Sequence, residues 1–170
     1  GSTGGLIDPN NEFFEDVYSS SFIDSAWTKP ESVKGGINTE THDACVALSP
    51  DGQKMLIYRT NKMFTGGDIY ETELINGKWS EPVKLTSEVN SGIGAETSAI
   101  YSPDQNTIYF SSNRPGGYGG KDIYRITKMP DNTWSKAMNL GPSVNTKYDE
   151  DAPFIHPDGW TNILVTMGFI

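Results

Sequence analysis

Cysteine is almost absent: Cys45 is the single one in 170 residues. That excludes an internal disulfide framework and a cysteine-built zinc site, and it is compatible with a reducing or an oxidising compartment. Basic residues are scarce too, 13 Lys and Arg against 22 Asp and Glu, for a formal charge of −9. Phosphate binding needs concentrated Lys and Arg, so nucleic acid and anionic membrane surfaces are poor default partners. No apolar run approaches the roughly 18 residues that a membrane-spanning helix requires. Nor does any stretch carry apolar residues at i, i+3, i+4 and i+7 for long enough to predict a core helix. Turn formers are plentiful instead, with 18 Gly and 10 Pro.

Three signatures return three times each. Ser-Pro-Asp at Ser49–Asp51 recurs at Ser102–Asp104 and, as His-Pro-Asp, at His156–Asp158. Asp-Val/Ile-Tyr occurs at Asp16–Tyr18, Asp68–Tyr70 and Asp122–Tyr124. Trp27, Trp79 and Trp134 are each followed by a small hydroxyl residue. The period is close to 53 residues, and self-similarity at such a period signals units that cannot bury their apolar face alone. Within a period the order is constant. Asn38, Asn90 and Asn145 open it, an acid follows at Asp43, Glu96 and Glu150, and a short apolar run leads to the Pro-Asp turn. A second apolar run, a Gly-rich turn, the Asp-Ile-Tyr strand and an Asn-Gly or Asp-Asn turn ahead of the Trp complete it, with the Trp starting a fourth strand.

The fold class expected is therefore all-β: β-propeller blades of four antiparallel strands. A β-sandwich also has short, regularly spaced strands, but it gives no reason for three signatures to return in one order. The residues Leu48–Gly52, Tyr109–Gly117 and Gly119–Tyr124 resemble the WD40-like Pro-Asp propeller repeat of TolB-type bacterial envelope proteins. The likeness runs from about residue 13 to 160. His156 departs from it by replacing Ser, and Trp160–Ile170 departs by lacking the Asn-Arg/Lys turn and the Gly-Gly-Asp.

Residues 1–12 read as a tag and linker, with Gly1–Gly5 a tag remnant, and 13–170 as the propeller part. Blade repeats fall at about 38–85 and 90–140, and a third is split between 145–170 and 13–33. That makes three blade equivalents, whereas closed propellers have about four to eight. Either the chain is a piece of a longer ring, or two chains close head-to-tail as a six-bladed homodimer.

The acidic register Asp43, Glu96 and Glu150, thickened by Asp149 and Asp151, is the candidate site. Ahead of the strands expected to line the channel, these carboxylates could converge on one mouth and attract Ca²⁺ or a partner's cationic groups. The competing reading has each acid accepting backbone N–H bonds and holding adjacent blades. Asp51, Asp104 and Asp158 are expected as turn formers, and Asp16, Asp68 and Asp122 as acceptors for the Gly-rich turn before them. Trp27, Trp79 and Trp134 are expected to anchor blade packing rather than to form a sugar platform. Arg114 and Lys62 read as surface or turn residues in equivalent turns. His156 is expected to donate the turn hydrogen bond of the serine it replaces. Cys45 lies three residues from His42, on the opposite face of an extended strand, which argues against a nucleophile–base pair.

The resemblance implies a non-catalytic binding or scaffold propeller of the bacterial cell envelope, periplasmic or associated with the outer envelope, with a protein or cell-wall component as partner. Such repeats often precede an OmpA-like peptidoglycan-binding part, which these residues do not include. The alternative is a carbohydrate-active or glycan-binding propeller, a hydrolase or lyase. The turn at Ser49–Gly52 fits a sialidase Asp-box poorly, because Leu56–Tyr58 stand where its Trp belongs. No repeated acid stands out as a proton donor.

Overall fold

The structure is a computed structural model, and it describes residues 7–159 and 161–166. Gly1–Gly5 and most of the atypical segment Trp160–Ile170 fall outside the described residues or are described in backbone only. Among the described residues there is no helix, and all strand pairing is antiparallel. The first strands are short: β1 (Tyr18–Ser19), β2 (Phe22–Ile23), β3 (Ala26–Trp27) and β4 (Glu31–Ser32), with β1 paired to β4 and β2 to β3. A first full sheet follows in the order β5 (Asp43–Leu48), β6 (Lys54–Thr60), β7 (Gly67–Ile75) and β8 (Lys78–Trp79), with β9 (Val83–Lys84) also on β7. The second full sheet is β10 (Ala99–Tyr101), β11 (Thr107–Ser112), β12 (Asp122–Thr127) and β13 (Met138–Asn139). A last pair joins β14 (Glu150–Ile155) to β15 (Asn162–Thr166).

The Pro-Asp turns are built alike. Asp51 Oδ1 accepts from Ser49 Oγ (2.6 Å) and from the amide of Gln53 (3.0 Å), while Ser49 Oγ accepts from the amide of Lys54 (2.8 Å). Asp104, Ser102, Asn106 and Thr107 repeat this with the same geometry. The third turn differs: His156 Nδ1 accepts from the Asp158 amide (3.2 Å) instead of donating to the carboxylate as the serines do, and Asp158 Oδ1 accepts from the Thr161 amide. The residue after each Asp has positive φ, at Gly52, Gln105 and Gly159, which glycine adopts without steric cost.

The fourth strand differs from the expectation. Trp79 ends the two-residue strand β8, and pairing on β7 resumes only at β9. The hydroxyl after each Trp explains the break. The Ser80 amide donates to the Glu73 carbonyl, and its Oγ accepts from the Glu73 amide (3.1 Å). Ser135 does the same to Thr127 (3.0 Å) and Thr28 to Ser21 (3.0 Å). A side-chain oxygen thus stands in for a strand carbonyl, and the chain turns outward.

Both faces of the first full sheet are covered. Along β6, alternation sends Leu56 into a cluster with Ile69, Val89, Ala99, Tyr101, Ile108 and Phe110 of the two full sheets. Its neighbours Met55 and Ile57 point the other way, to Ile37, Val17 and Val33 of the N-terminal half-sheet. The core is therefore a series of layers between successive sheets. Residues 7–12, assigned to the linker by sequence, join this body: Ile7 bridges Phe13, and buried Asp8 accepts from the amides of Asn10 and Glu12.

One side chain per repeat locks each sheet to the segment leading to the next. Asn90 Oδ1 accepts from the Ile69 amide (2.8 Å), and its Nδ2 donates to the Ile69 carbonyl (2.9 Å) and the Leu85 carbonyl (3.0 Å). Asn145 treats Ile123 identically, and Asn38 treats Val17 identically. We predict that Asn90→Ala, which strips both backbone groups of fully buried Ile69 of this partner, destabilises the chain by about 2–5 kcal/mol. Asn38→Ala costs less, because Val17 is half-buried. Urea unfolding at unchanged m-value measures both, and equal small effects would sink the assignment.

Candidate functional site

The residue after each locking Asn is Thr39, Ser91 or Thr146, and its hydroxyl meets the repeated acid. Thr39 donates to Asp43 Oδ2 from both its amide and its Oγ1 (each 2.7 Å). Thr146 donates in the same double fashion to the two oxygens of Glu150 (2.8 and 2.6 Å). Glu96 Oε1 accepts from Ser91 Oγ (3.1 Å) and Ser112 Oγ (2.7 Å). All three acids are buried, Glu96 and Glu150 at 0% exposure.

Two arginines complete the arrangement, and the sequence reading missed their role. Arg59 Nε donates to Asp43 Oδ1 (2.5 Å), while its Nη2 donates to the carbonyls of Gly36 (2.9 Å) and Ile37 (2.8 Å). Arg114 does the same for Glu96 (3.3 Å) and the carbonyls of Glu88 (2.8 Å) and Val89 (2.5 Å). Both guanidinium groups lie over aromatic rings, Arg59 4.8 Å from the centroid of Tyr70 and Arg114 4.9 Å from that of Tyr124. Yet Arg59 comes from within β6 and Arg114 from the loop beyond β11. The acid side chains differ in length accordingly, aspartate with the first and glutamate with the second. Arg114 is thus an interior clamp rather than a surface residue, its side chain 13% exposed.

This geometry favours the structural reading of the register over a channel-mouth cation site, since each carboxylate is turned into donors of its own repeat. Among the described residues no three His, Cys, Asp or Glu side chains come together in a way that could hold a metal ion. Asp151 holds adjacent sheets: it accepts from Ser98 (2.5 Å), Ser111 (2.7 Å) and Thr97 (3.1 Å) and pairs with Lys121 Nζ (2.6 Å). Burial opposes its charge, but Lys121, the two serines and the Ala152 amide outweigh burial and keep its pKa far below the ordinary value of 3.8. Asp149 accepts from the Lys121 amide (2.8 Å) beside Gly120. At Gly119 an added Cβ would fall 2.1 Å from the Tyr148 carbonyl, so only glycine permits this approach.

Asp122 fulfils its expected role, accepting from the amides of Tyr118 (2.7 Å) and Gly119 (3.2 Å). Asp68 does not. Its preceding turn is shorter, and it pairs with Lys84 (2.8 Å) instead. Trp79 and Trp134 pack against the two apolar clusters. Trp27 is 71% exposed and touches Phe22, so it anchors nothing in this chain alone. His42 is engaged away from Cys45: its Nδ1 accepts from the Glu15 amide (3.3 Å) and its Nε2 lies 3.4 Å from Asp8. The exposed Cys45 thiol reaches only the Ala47 carbonyl (3.9 Å). A cleft of about 530 Å³ is lined by Thr39, Arg59, Lys62, Phe64, Asp68 and Tyr70. Phe64 sits on its rim with φ of 55°, unusual for so bulky a residue. No sequence signal marks this cleft.

Two expectations follow. Arg114→Ala leaves the Glu96 carboxylate buried, with Oε2 already lacking a hydrogen-bond partner among the described residues. It should destabilise by about 3–5 kcal/mol, and denaturation within 1 kcal/mol of the parent, as an order of magnitude, would contradict the clamp. For Asp151 the folded pKa lies below the unfolded one, so its contribution is complete above the ordinary value of 3.8 and disappears as pH falls toward the folded pKa. The stability gap between the parent and Asp151→Asn should therefore be widest near neutrality and shrink steadily in acid. A gap independent of pH would refute this.

No protein-family model matches the chain, and no curated protein matches it. Among solved structures, one assigned as TolB from Agrobacterium tumefaciens is similar, with 20% identity and a TM-score of 0.59. The likeness covers 94% of this chain and 52% of that one, so the chain spans about half the length of its structural relative. At this identity the comparison speaks to architecture: the chain has the all-β, TolB-type fold.

Proposed function

We propose that the chain is the propeller part of a bacterial cell-envelope protein and acts as a non-catalytic binding scaffold for a protein or cell-wall component. The full sheets are then blades of four strands with the fourth broken, and the half-sheets are the two parts of split blades. The observation that carries this reading is how the repeated polar residues are used. Hydroxyls, carboxamides and guanidinium groups that could serve catalysis are consumed in holding each sheet to the segments beside it, and the repeated carboxylates Asp43 and Glu96 in anchoring those guanidinium groups. What varies between repeats is the loops, which suits recognition on a rigid disc. The Pro-Asp motifs support an envelope location, periplasmic or on the outer envelope. No helix among the described residues is long and apolar enough to cross a membrane.

A glycan-cleaving propeller would need two carboxylates with separated pKa values facing a common cleft. Asp43, Glu96 and Glu150 each face donors of their own repeat instead, and we assign them to structure. The test is to immobilise the chain and present purified peptidoglycan and a solubilised envelope fraction. Saturable binding to one of them, with glycans recovered intact by mass spectrometry, is the expected result. Released glycan products would overturn the non-catalytic reading, and no binding to either would overturn the scaffold reading.

A further inference from the structure

The two arginine clamps are equivalent in position but not in saturation. At Arg114 all three guanidinium nitrogens are used: Nε donates to Ser112 Oγ (2.9 Å), Nη1 to the Glu88 carbonyl (2.8 Å) and Nη2 to the Val89 carbonyl (2.5 Å). At Arg59, Nε serves Asp43 and Nη2 serves both carbonyls, so Nη1 has no hydrogen bond among the described residues. Its N–H groups must find their acceptors in solvent or in a ligand. Arg59 also lines the cleft of about 530 Å³, within the range of about 300–1,000 Å³ common for small-ligand sites.

The charges around this cleft sort into committed and uncommitted. Asp68 is paired with Lys84 (2.8 Å), and Asp43 is turned to Thr39 and Arg59. Lys62 and Glu40 also line the cleft, both exposed and neither in an ion pair among the described residues. Two cationic donors are therefore uncommitted, Arg59 Nη1 near the end of β6 and Lys62 Nζ just beyond it, together with one acid, Glu40.

Phe64 and Tyr70 supply an apolar wall. The Arg59 guanidinium lies 4.8 Å from the centroid of the Tyr70 ring. Phe64 stacks on Phe14 (5.9 Å, 9° between planes) and meets His42 edge-on (5.8 Å). These contacts hold the Phe64 ring in place at a positive φ that is unfavourable for any bulky residue.

We propose that this cleft binds the C-terminal carboxylate of a protein partner whose last residue is apolar. The carboxylate accepts from Arg59 Nη1 and Lys62 Nζ, charge-assisted bonds roughly twice as strong as neutral ones. Glu40 meets a peptide N–H of the same end, and the last side chain lies against Phe64 and Tyr70. A phosphate group fits worse, because it brings roughly two negative charges to a cleft that also holds Glu40 and Asp68. A cell-wall peptide ending in alanine fits worse as well, because a methyl group leaves most of the aromatic wall uncovered. The inference rests on the scaffold reading above and names the place and chemistry of its contact.

Calorimetric titration of the purified chain tests it with three probes. They are the tripeptide N-acetyl-Ala-Ala-Leu with a free carboxylate, its C-terminal amide, and N-acetyl-D-Ala-D-Ala. The free acid should bind saturably with a dissociation constant of roughly 1 mM or below, and amidation should weaken it at least about tenfold. Arg59→Ala would leave the buried Asp43 without its cation, so the variant of choice is Lys62→Glu, at an exposed position where circular dichroism should be unchanged. It should weaken the free acid at least about tenfold. Lys128→Glu makes the same change of charge beside Asn106 and Asn132 and should leave binding unchanged. No binding, equal binding of acid and amide, or indifference to Lys62→Glu overturns the inference, and tighter binding of the D-Ala peptide overturns the protein partner. If the immobilised chain still captures peptidoglycan or an envelope component after such a failure, the scaffold reading stands and the cleft assignment alone falls.

Discussion

The architecture depends on a carboxamide that plays the part of a strand. Asn38, Asn90 and Asn145 each offer one acceptor and one donor to a single residue of the third strand, satisfying both of its outward backbone groups. Buried backbone groups left unpaired are costly, so the side chain must lie flat against the sheet edge. That orientation fixes where the next residues go. The following Thr or Ser is delivered to the repeated acid, which begins the first strand of the next sheet at Asp43 and Glu150 and lies just ahead of it at Glu96. One residue therefore sets the spacing between sheets, and it recurs because the requirement recurs.

The clamp built on the acid shows what is conserved within this chain and what is not. Two guanidinium groups reach equivalent positions between an acid, two carbonyls and an aromatic ring, although their Cα atoms belong to different structural elements. A buried carboxylate needs a charged or multiply hydrogen-bonded partner, and the partner's location in the chain matters less than its final position. Where the arginine arises from the strand, the loop beyond is relieved of that duty. Lys62 and Phe64 then border an open cleft. Variation in function between repeats can arise in this way without disturbing the scaffold.

The layers between sheets also account for how far this chain is self-sufficient. The first full sheet is covered on both faces, by the N-terminal half-sheet and by the second full sheet. At the N-terminal half-sheet Tyr18 and Trp27 are exposed, whereas Tyr70, Tyr124, Trp79 and Trp134 of the full sheets are buried or half-buried.

The amino-acid pattern alone carries the threefold return of the signatures, the antiparallel succession of strands and the Pro-Asp turns. These follow from local rules: proline and glycine set backbone angles, and apolar alternation sets faces. It also identified the acids as a register. Only the tertiary structure decided that the acids are interior anchors, that Arg59 and Arg114 are equivalent, that Trp27 is exposed and that residues 7–12 belong to the body. It also decided that the fourth strand breaks after its tryptophan. The arginine partners of Asp43 and Glu96 lie 16 and 18 residues away along the chain and meet them only once the strands fold onto one another. Sequence periodicity marks where a side chain recurs, whereas its role is set by the neighbours that folding brings to it.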